Sequence, residues 1–222
     1  VVIGPRMPFP RPPIGHTALR AGTGLTLYLY VLGHLLGNLQ VYLGRDQING
    51  YALLLHSHSV LLWTARVLLL AAVFIHITVG VRLWWLGRHT ARPIPYFMKK
   101  DVPPAYASRT MMRSGAVILV FVIFHVLHLT TGSLGLPYRE LDVYGNLTRG
   151  FHIVWVSMVY IAAMLFLGMH LDHGLWTMFP LLGVSHPRYT RILKPFVHTF
   201  AILIAAGNIS IPLAVLSGWL RN

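Results

Sequence analysis

The sequence predicts an all-α integral membrane protein, a single domain over residues 1–222 built as a bundle of five transmembrane helices. Three observations lead there. Hydrophobic residues make up 55% of the chain and charged residues only 10%, where a soluble domain carries about 25% charged residues. Five apolar stretches are each long enough to cross a bilayer, which takes roughly 20 helical residues. The stretches are also too long, and alternate too little, to be strands.

The stretches fall near 17–42, 61–85, 113–131, 151–176 and 196–220. The first follows a polar leader with Arg6, Arg11 and several prolines, which does not read as a cleavable signal peptide. The connection to the second holds Arg45 and Asp46. The connection from second to third is long and basic, with Arg88, Arg92, Lys99, Lys100 and Arg109 against Asp101. Its prolines (Pro93, Pro95, Pro103, Pro104) lie where they break no helix. The third connection mixes Arg139, Glu140, Asp142 and Arg149. The fourth holds Arg188, Arg191 and Lys194 with no acid. The two basic connections and the leader share one side. By the positive-inside rule the N-terminus is cytoplasmic and the C-terminus outside, in the cell's inner (cytoplasmic) membrane. No internal repeat is apparent.

The charge of +13 in a soluble protein would suggest nucleic acid. The apolar stretches exclude that partner and assign the excess to basic loops. The absence of cysteine excludes disulfides, covalent c-type haem attachment and a cysteine-ligated iron–sulfur cluster within this chain.

Ionisable residues inside a membrane span are costly and point to a specific role. Helices one to four each carry a histidine in the apolar run: His34, His76, His125 and His170. His34 lies about 21 Å along its helix from Arg20, and His125 about 18 Å from Arg113. Both helices start inside, so these two histidines share an outer depth. His76, shortly before Arg82, and His170, before Pro180, lie on helices that run the other way and share an inner depth. The four thus sort into an outer and an inner pair. Two imidazoles at equal depth, from different helices, are what a bis-histidine haem b requires. Coordination also satisfies a ring nitrogen without burying a charge. Gly33 and Gly37 flank His34, Gly80 follows His76 by one turn, and Gly168 and Gly174 flank His170. They give the ring clearance or serve helix packing. His128 and His173, one turn beyond His125 and His170, remain alternative ligands. His16, His56, His58, His89, His152, His186 and His198 fall near helix ends or in loops.

Several segments carry a family resemblance. They are Gly33-His34-Leu35-Leu36-Gly37-Asn38, Asn49-Gly50-Tyr51-Ala52 with Leu55-His56-Ser57, and His76. They continue with Ala91-Arg92-Pro93, Tyr106-Ala107-Ser108-Arg109-Thr110-Met111, Phe124-His125 and His170-Leu171-Asp172-His173-Gly174-Leu175-Trp176. In this order and spacing they resemble the membrane anchor of succinate dehydrogenases and fumarate reductases (complex II), of the single-chain, five-helix, two-haem type. The resemblance covers nearly the whole chain. It implies His34 and His125 as ligands of the outer haem iron and His76 and His170 as ligands of the inner one, and it prefers them over His128 and His173. It also implies docking beneath an iron–sulfur subunit that carries a flavoprotein, where the dicarboxylate chemistry occurs. This chain would carry no catalytic residue for that chemistry. It would take electrons on the cytoplasmic side and pass them through the inner and then the outer haem to a quinone, menaquinone by resemblance. Moving one charge across 100 mV involves about 2.3 kcal/mol. A homotrimer of the complex is left open. The rival reading is the di-haem anchor of a fumarate reductase, hydrogenase or formate dehydrogenase. A second rival carries no electrons and uses its histidines as polar glue between helices.

Further candidates follow from position. Arg66, in the first turns of helix two, needs an anion such as an outer-haem propionate, or else snorkels to the headgroups. Arg20, Arg82, Arg109 and Arg113 lie at the inner face. Of these, Arg109 and Arg113, with Gly37, Gly80 and Gly174, are the candidate haem contacts. Asp172 could orient a histidine or relay protons. Quinone reduction consumes protons, so titratable groups at a membrane face are candidates for that site: Asp46, Asn49, Tyr51, His56 and His58 towards the outside. Related anchors place a carboxylate there, and Asp46 is the available one. A cytoplasmic-side quinone site near Tyr106, Ser108 and Arg109 is the alternative.

Overall fold

The computed structural model describes residues 14–89, 106–181, 183–184 and 186–221. The leader with Arg6 and Arg11, and the connection with Arg92, Lys99, Lys100, Asp101 and its prolines, lie outside the described residues. So do the side chains of Arg88, His89, Tyr106, Ser108 and Arg109.

The described residues are 86% helix and include no strand. Among the described residues, seven α-helices follow in order: α1 (Ile14–Asn38), α2 (Arg45–Ser57), α3 (Ser59–His89), α4 (Tyr106–Leu129), α5 (Val143–Phe151), α6 (Val154–Leu181) and α7 (Pro187–Leu216). A 3₁₀ turn, Leu39–Leu43, joins α1 to α2. Four helical segments among the described residues are long and apolar enough to cross a membrane: Ser59–Leu86, Met111–Leu129, Val154–Pro180 and Arg188–Leu216. They match four of the five expected spans.

The fifth expected span is α1, which is long enough at 25 residues but is not among the four. Its apolar residues are diluted by five glycines and by His16, Arg20, Thr23 and Thr26. It nevertheless packs along α3 and also meets α6 and α7. The other main contacts are α4 on α6 and α6 on α7. The helices α1, α3, α4 and α6 therefore lie as neighbours, with α7 behind α6.

The first and third connections, read from sequence as charged loops, hold short helices instead. α2 is amphipathic and buries Ile48 and Ala52. It starts after Gly44, whose φ of 103° favours glycine. α5 is capped by Asp142, whose carboxylate accepts from the Gly145 N–H at 3.1 Å. Asp142 also pairs with Arg45 at 3.3 Å and Arg149 at 3.1 Å, and accepts from the Asn49 amide at 3.2 Å. One carboxylate thus ties α2 to α5. Burial alone would raise its pKa. Hydrogen bonds from Asn49, Gly145 and Arg149, with the charge of Arg45, outweigh that and hold it below the usual carboxylate range. Beneath this cap lies the main apolar core, including Val41, Ile48, Leu147, Phe151, Val156 and Val215.

Elsewhere the helices present apolar side chains outward. On α3 these include Leu61, Trp63, Leu68, Leu70 and Phe74. A surface of that kind is unfavourable in water and suits a lipid environment.

Candidate functional site

The bundle brings the four sequence-predicted histidines together in two pairs. His34 on α1 faces His125 on α4, with ring centroids 5.6 Å apart and planes at 88°. His76 on α3 faces His170 on α6, at 6.4 Å and 65°. Imidazole nitrogens bind metals at about 2 Å, so two imidazoles on opposite sides of one metal have ring centres roughly 6 Å apart. Both pairs fall close to that spacing. Among the described residues, no three His, Asp or Glu side chains converge to hold a bare ion. Two facing imidazoles suit a metal whose remaining ligands come with it, as in a porphyrin.

The second nitrogen of each ring decides which tautomer is present. Nδ1 of His76 lies 3.3 Å from the Thr23 hydroxyl. That hydroxyl donates its single proton to the backbone, to the Leu19 carbonyl at 2.7 Å or the Arg20 carbonyl at 3.3 Å. It can therefore only accept from His76, so Nδ1 carries the proton and Nε2 keeps its lone pair. The same holds at His170. Nδ1 lies 3.2 Å from the Ser114 hydroxyl, which donates to the Met111 carbonyl at 2.9 Å. Among the described residues, Nε2 has no hydrogen-bond partner in any of the four histidines.

The first pair is held differently. Tyr30 stacks on His34 at 5.5 Å. Nδ1 of His125 lies 3.2 Å from the Tyr160 hydroxyl, which is also 3.0 Å from Nδ1 of His128. His128 is fully buried, and its Nε2 faces Gly150, where a Cβ would come within 2.7 Å. Its ring neighbours are Phe124 and Tyr160, and His125 is the ring that meets His34. His170, rather than His173, is the ring that meets His76. Asp172 pairs with His198 of α7 at 2.5 Å.

Thr23 contacts His76, and His34 lies about 16 Å further along α1. Ser114 contacts His170, and His125 lies about 16 Å further along α4. The two pairs therefore sit at two levels, separated by about half of a roughly 30 Å hydrocarbon core.

The glycines divide. Gly33 and Gly80 have open space where a Cβ would be. Gly37 lies under the Tyr51 ring, Gly168 against Ala205 of α7, and Gly174 beside Met111. The glycines that touch the four paired histidines are Gly24 and Gly115, where a Cβ would sit 3.5 Å from Cε1 of His76 and of His170. Sequence reasoning missed both, along with Thr23, Ser114 and Tyr160. A signal was present: Thr23, Gly24 and His34 on α1 recur at the same spacing as Ser114, Gly115 and His125 on α4, and Gly80 and Gly174 each follow a histidine by one turn. Glycines, threonines and histidines scattered among variable apolar residues make a faint pattern until the structure shows what they touch.

Arg66 lies over the Trp63 ring at 5.0 Å and has no carboxylate within ion-pair distance among the described residues. Arg20 is partly buried on α1, one turn before Thr23. Arg113 is exposed, and Arg109 lies outside the described side chains.

The quinone candidates do not converge. Asp46, His56 and His58 are exposed, with Asp46 and His56 about 15 Å apart along α2. Asn49 is occupied at both ends: it donates to Asp142 at 3.2 Å and accepts from the Tyr144 N–H at 3.0 Å. Tyr51 covers Gly37. The alternative set with Tyr106 and Ser108 lies outside the described side chains.

Neither a protein-family model, nor a curated protein, nor a solved structure matches this chain.

Proposed function

We propose that this chain is a five-helix, di-haem cytochrome b, the membrane anchor and electron-transfer subunit of a succinate:quinone oxidoreductase. The observation that carries the reading is the pairing: four imidazoles on four helices, facing two by two at 5.6 and 6.4 Å. The family resemblance of the motifs around them supplies the rest. In this reading α1 is the fifth span, made tolerable in lipid by its neighbours. His34 and His125 hold the outer haem, and His76 and His170 the inner one. Arg66 at the outer level and Arg20 at the inner level offer charge to propionates, whose burial unpaired would be costly. Gly33 and Gly80 leave room beside the ligands.

Haem b at each pair supplies a one-electron carrier, so the chain links an iron–sulfur subunit, and the flavoprotein behind it, to a quinone, menaquinone by resemblance. The residues' part is to fix ligand tautomers, exclude water and set the two levels. The chain takes part in the overall reaction through electron transfer and quinone reduction only. The basic connections favour a cytoplasmic N-terminus and docking face for a chain set in the inner membrane.

Purified in detergent, the chain is expected to show a b-type spectrum and two haems per polypeptide by pyridine haemochrome assay. A colourless preparation from haem-replete cells would rule the reading out.

A further inference from the structure

Among the described residues, two hydroxyls approach the second histidine pair, one from each of two different helices, and they do so in the same way. Thr23 and Ser114 each spend their proton on a backbone carbonyl of their own helix. Each then stands 3.3 or 3.2 Å from Nδ1 of a histidine on the neighbouring helix. Each is followed by a glycine over which Cε1 of that ring lies, at the same 3.5 Å from a would-be Cβ. Ser114 is almost fully buried, so its oxygen has no water to turn to. A hydroxyl that only packed a helix would bond its own backbone and stop there, as Thr26 does with the Gly22 carbonyl at 3.0 Å. The motif recurs on α1 and α4, followed in each by a histidine of the first pair. Each histidine pair takes one ring from α1 or α3 and one from α4 or α6.

We infer that Thr23 and Ser114 are positioning residues for the second pair: each locks one imidazole as the Nδ1–H tautomer and aims its Nε2 lone pair at the other ring across the bundle. The inference rests on the haem reading above. Acceptance of the Nδ1 proton makes the imidazole a stronger electron donor through Nε2. That stabilises the oxidised metal and lowers its potential. The effect is confined to one level, because the first pair is held by Tyr30 and Tyr160 instead.

The test uses the full-length, haem-loaded chain carrying Thr23→Val or Ser114→Ala, with Thr23→Ser and Ser114→Thr as conservative variants and Thr26→Val as control. Two readouts are followed: the low-spin ferric EPR signals and the midpoint potential of each haem. Thr23→Val and Ser114→Ala are each expected to shift the EPR signal and raise the potential of one haem, the same one in both variants, or to lose that haem alone. The conservative variants restore it and the control leaves both haems as they were. Unchanged signals in Thr23→Val and Ser114→Ala, equal changes in both haems, or different haems responding to the two variants would overturn the inference while leaving the haem reading intact. Absence of haem from the parent chain sinks both.

Discussion

A metal-binding imidazole has one nitrogen for the metal and one to spare, and what the spare nitrogen meets fixes how the ring faces. At His76 and His170 it meets hydroxyls that can only accept. The histidines themselves were legible in the sequence, because an ionisable residue in an apolar run stands out and helix direction gives its depth. Their supports were not, since a threonine or glycine in a membrane helix reads equally well as packing. The choice between His125 and His128 needed the fold as well: one helical turn separates them, and only three-dimensional packing shows that His128 is sealed against Gly150. Gly24 and Gly115 yield a graded prediction. A Cβ at either makes an ordinary contact of 3.5 Å with its histidine, so Gly24→Ala and Gly115→Ala are expected to keep both haems. Gly24→Val and Gly115→Val, whose branches reach further, are expected to push the ring aside and lower the occupancy of one haem. Haem-to-protein ratios across the four variants check this, and valine variants that retain full occupancy would contradict it.

Among the elements, α2 and α5 were hidden from sequence reasoning. Both are short, and both carry charges that read as loop residues: Arg45 and Asp46 in one, Arg149 in the other. In the structure Arg45 and Arg149 both reach Asp142, the shared acceptor that also takes a hydrogen bond from Asn49. Asn49, a quinone candidate by position, is spent on this junction. Because the folded-state pKa of Asp142 is depressed, its contribution to stability is fully present above the unfolded carboxylate value of about 3.9. It is lost as pH falls through the lower folded value. Hydrogen exchange in α2 and α5 is therefore expected to accelerate as pH drops below about 4 relative to intrinsic rates. Asp142→Asn is expected to abolish that dependence and cost about 1 kcal/mol of local stability. A variant with unchanged protection and unchanged pH response would contradict the role given to this carboxylate.

On the scale of the whole molecule, the arrangement is a bundle of four helices that each carry a paired histidine, with α7 packed behind. The all-helical, membrane-spanning class was legible from composition alone, since long apolar runs with few charges are stable in few settings besides lipid. The count was less legible, because α1 gives up apolarity for the glycines and hydroxyls that let it approach α3 and its histidine. Its polar residues lie where the second pair sits. Each of the two pairs joins α1/α3 to α4/α6, so the halves of the chain are held together at two levels. The most direct test is the reduced-minus-oxidised spectrum of the four single variants His34→Ala, His125→Ala, His76→Ala and His170→Ala, resolved into its two b-type components by redox titration. The first two are expected to lose one and the same component, and the last two the other. Loss of the same component in His34→Ala and His76→Ala, or no b-type component in the parent chain, would contradict the pairing on which the proposed function stands.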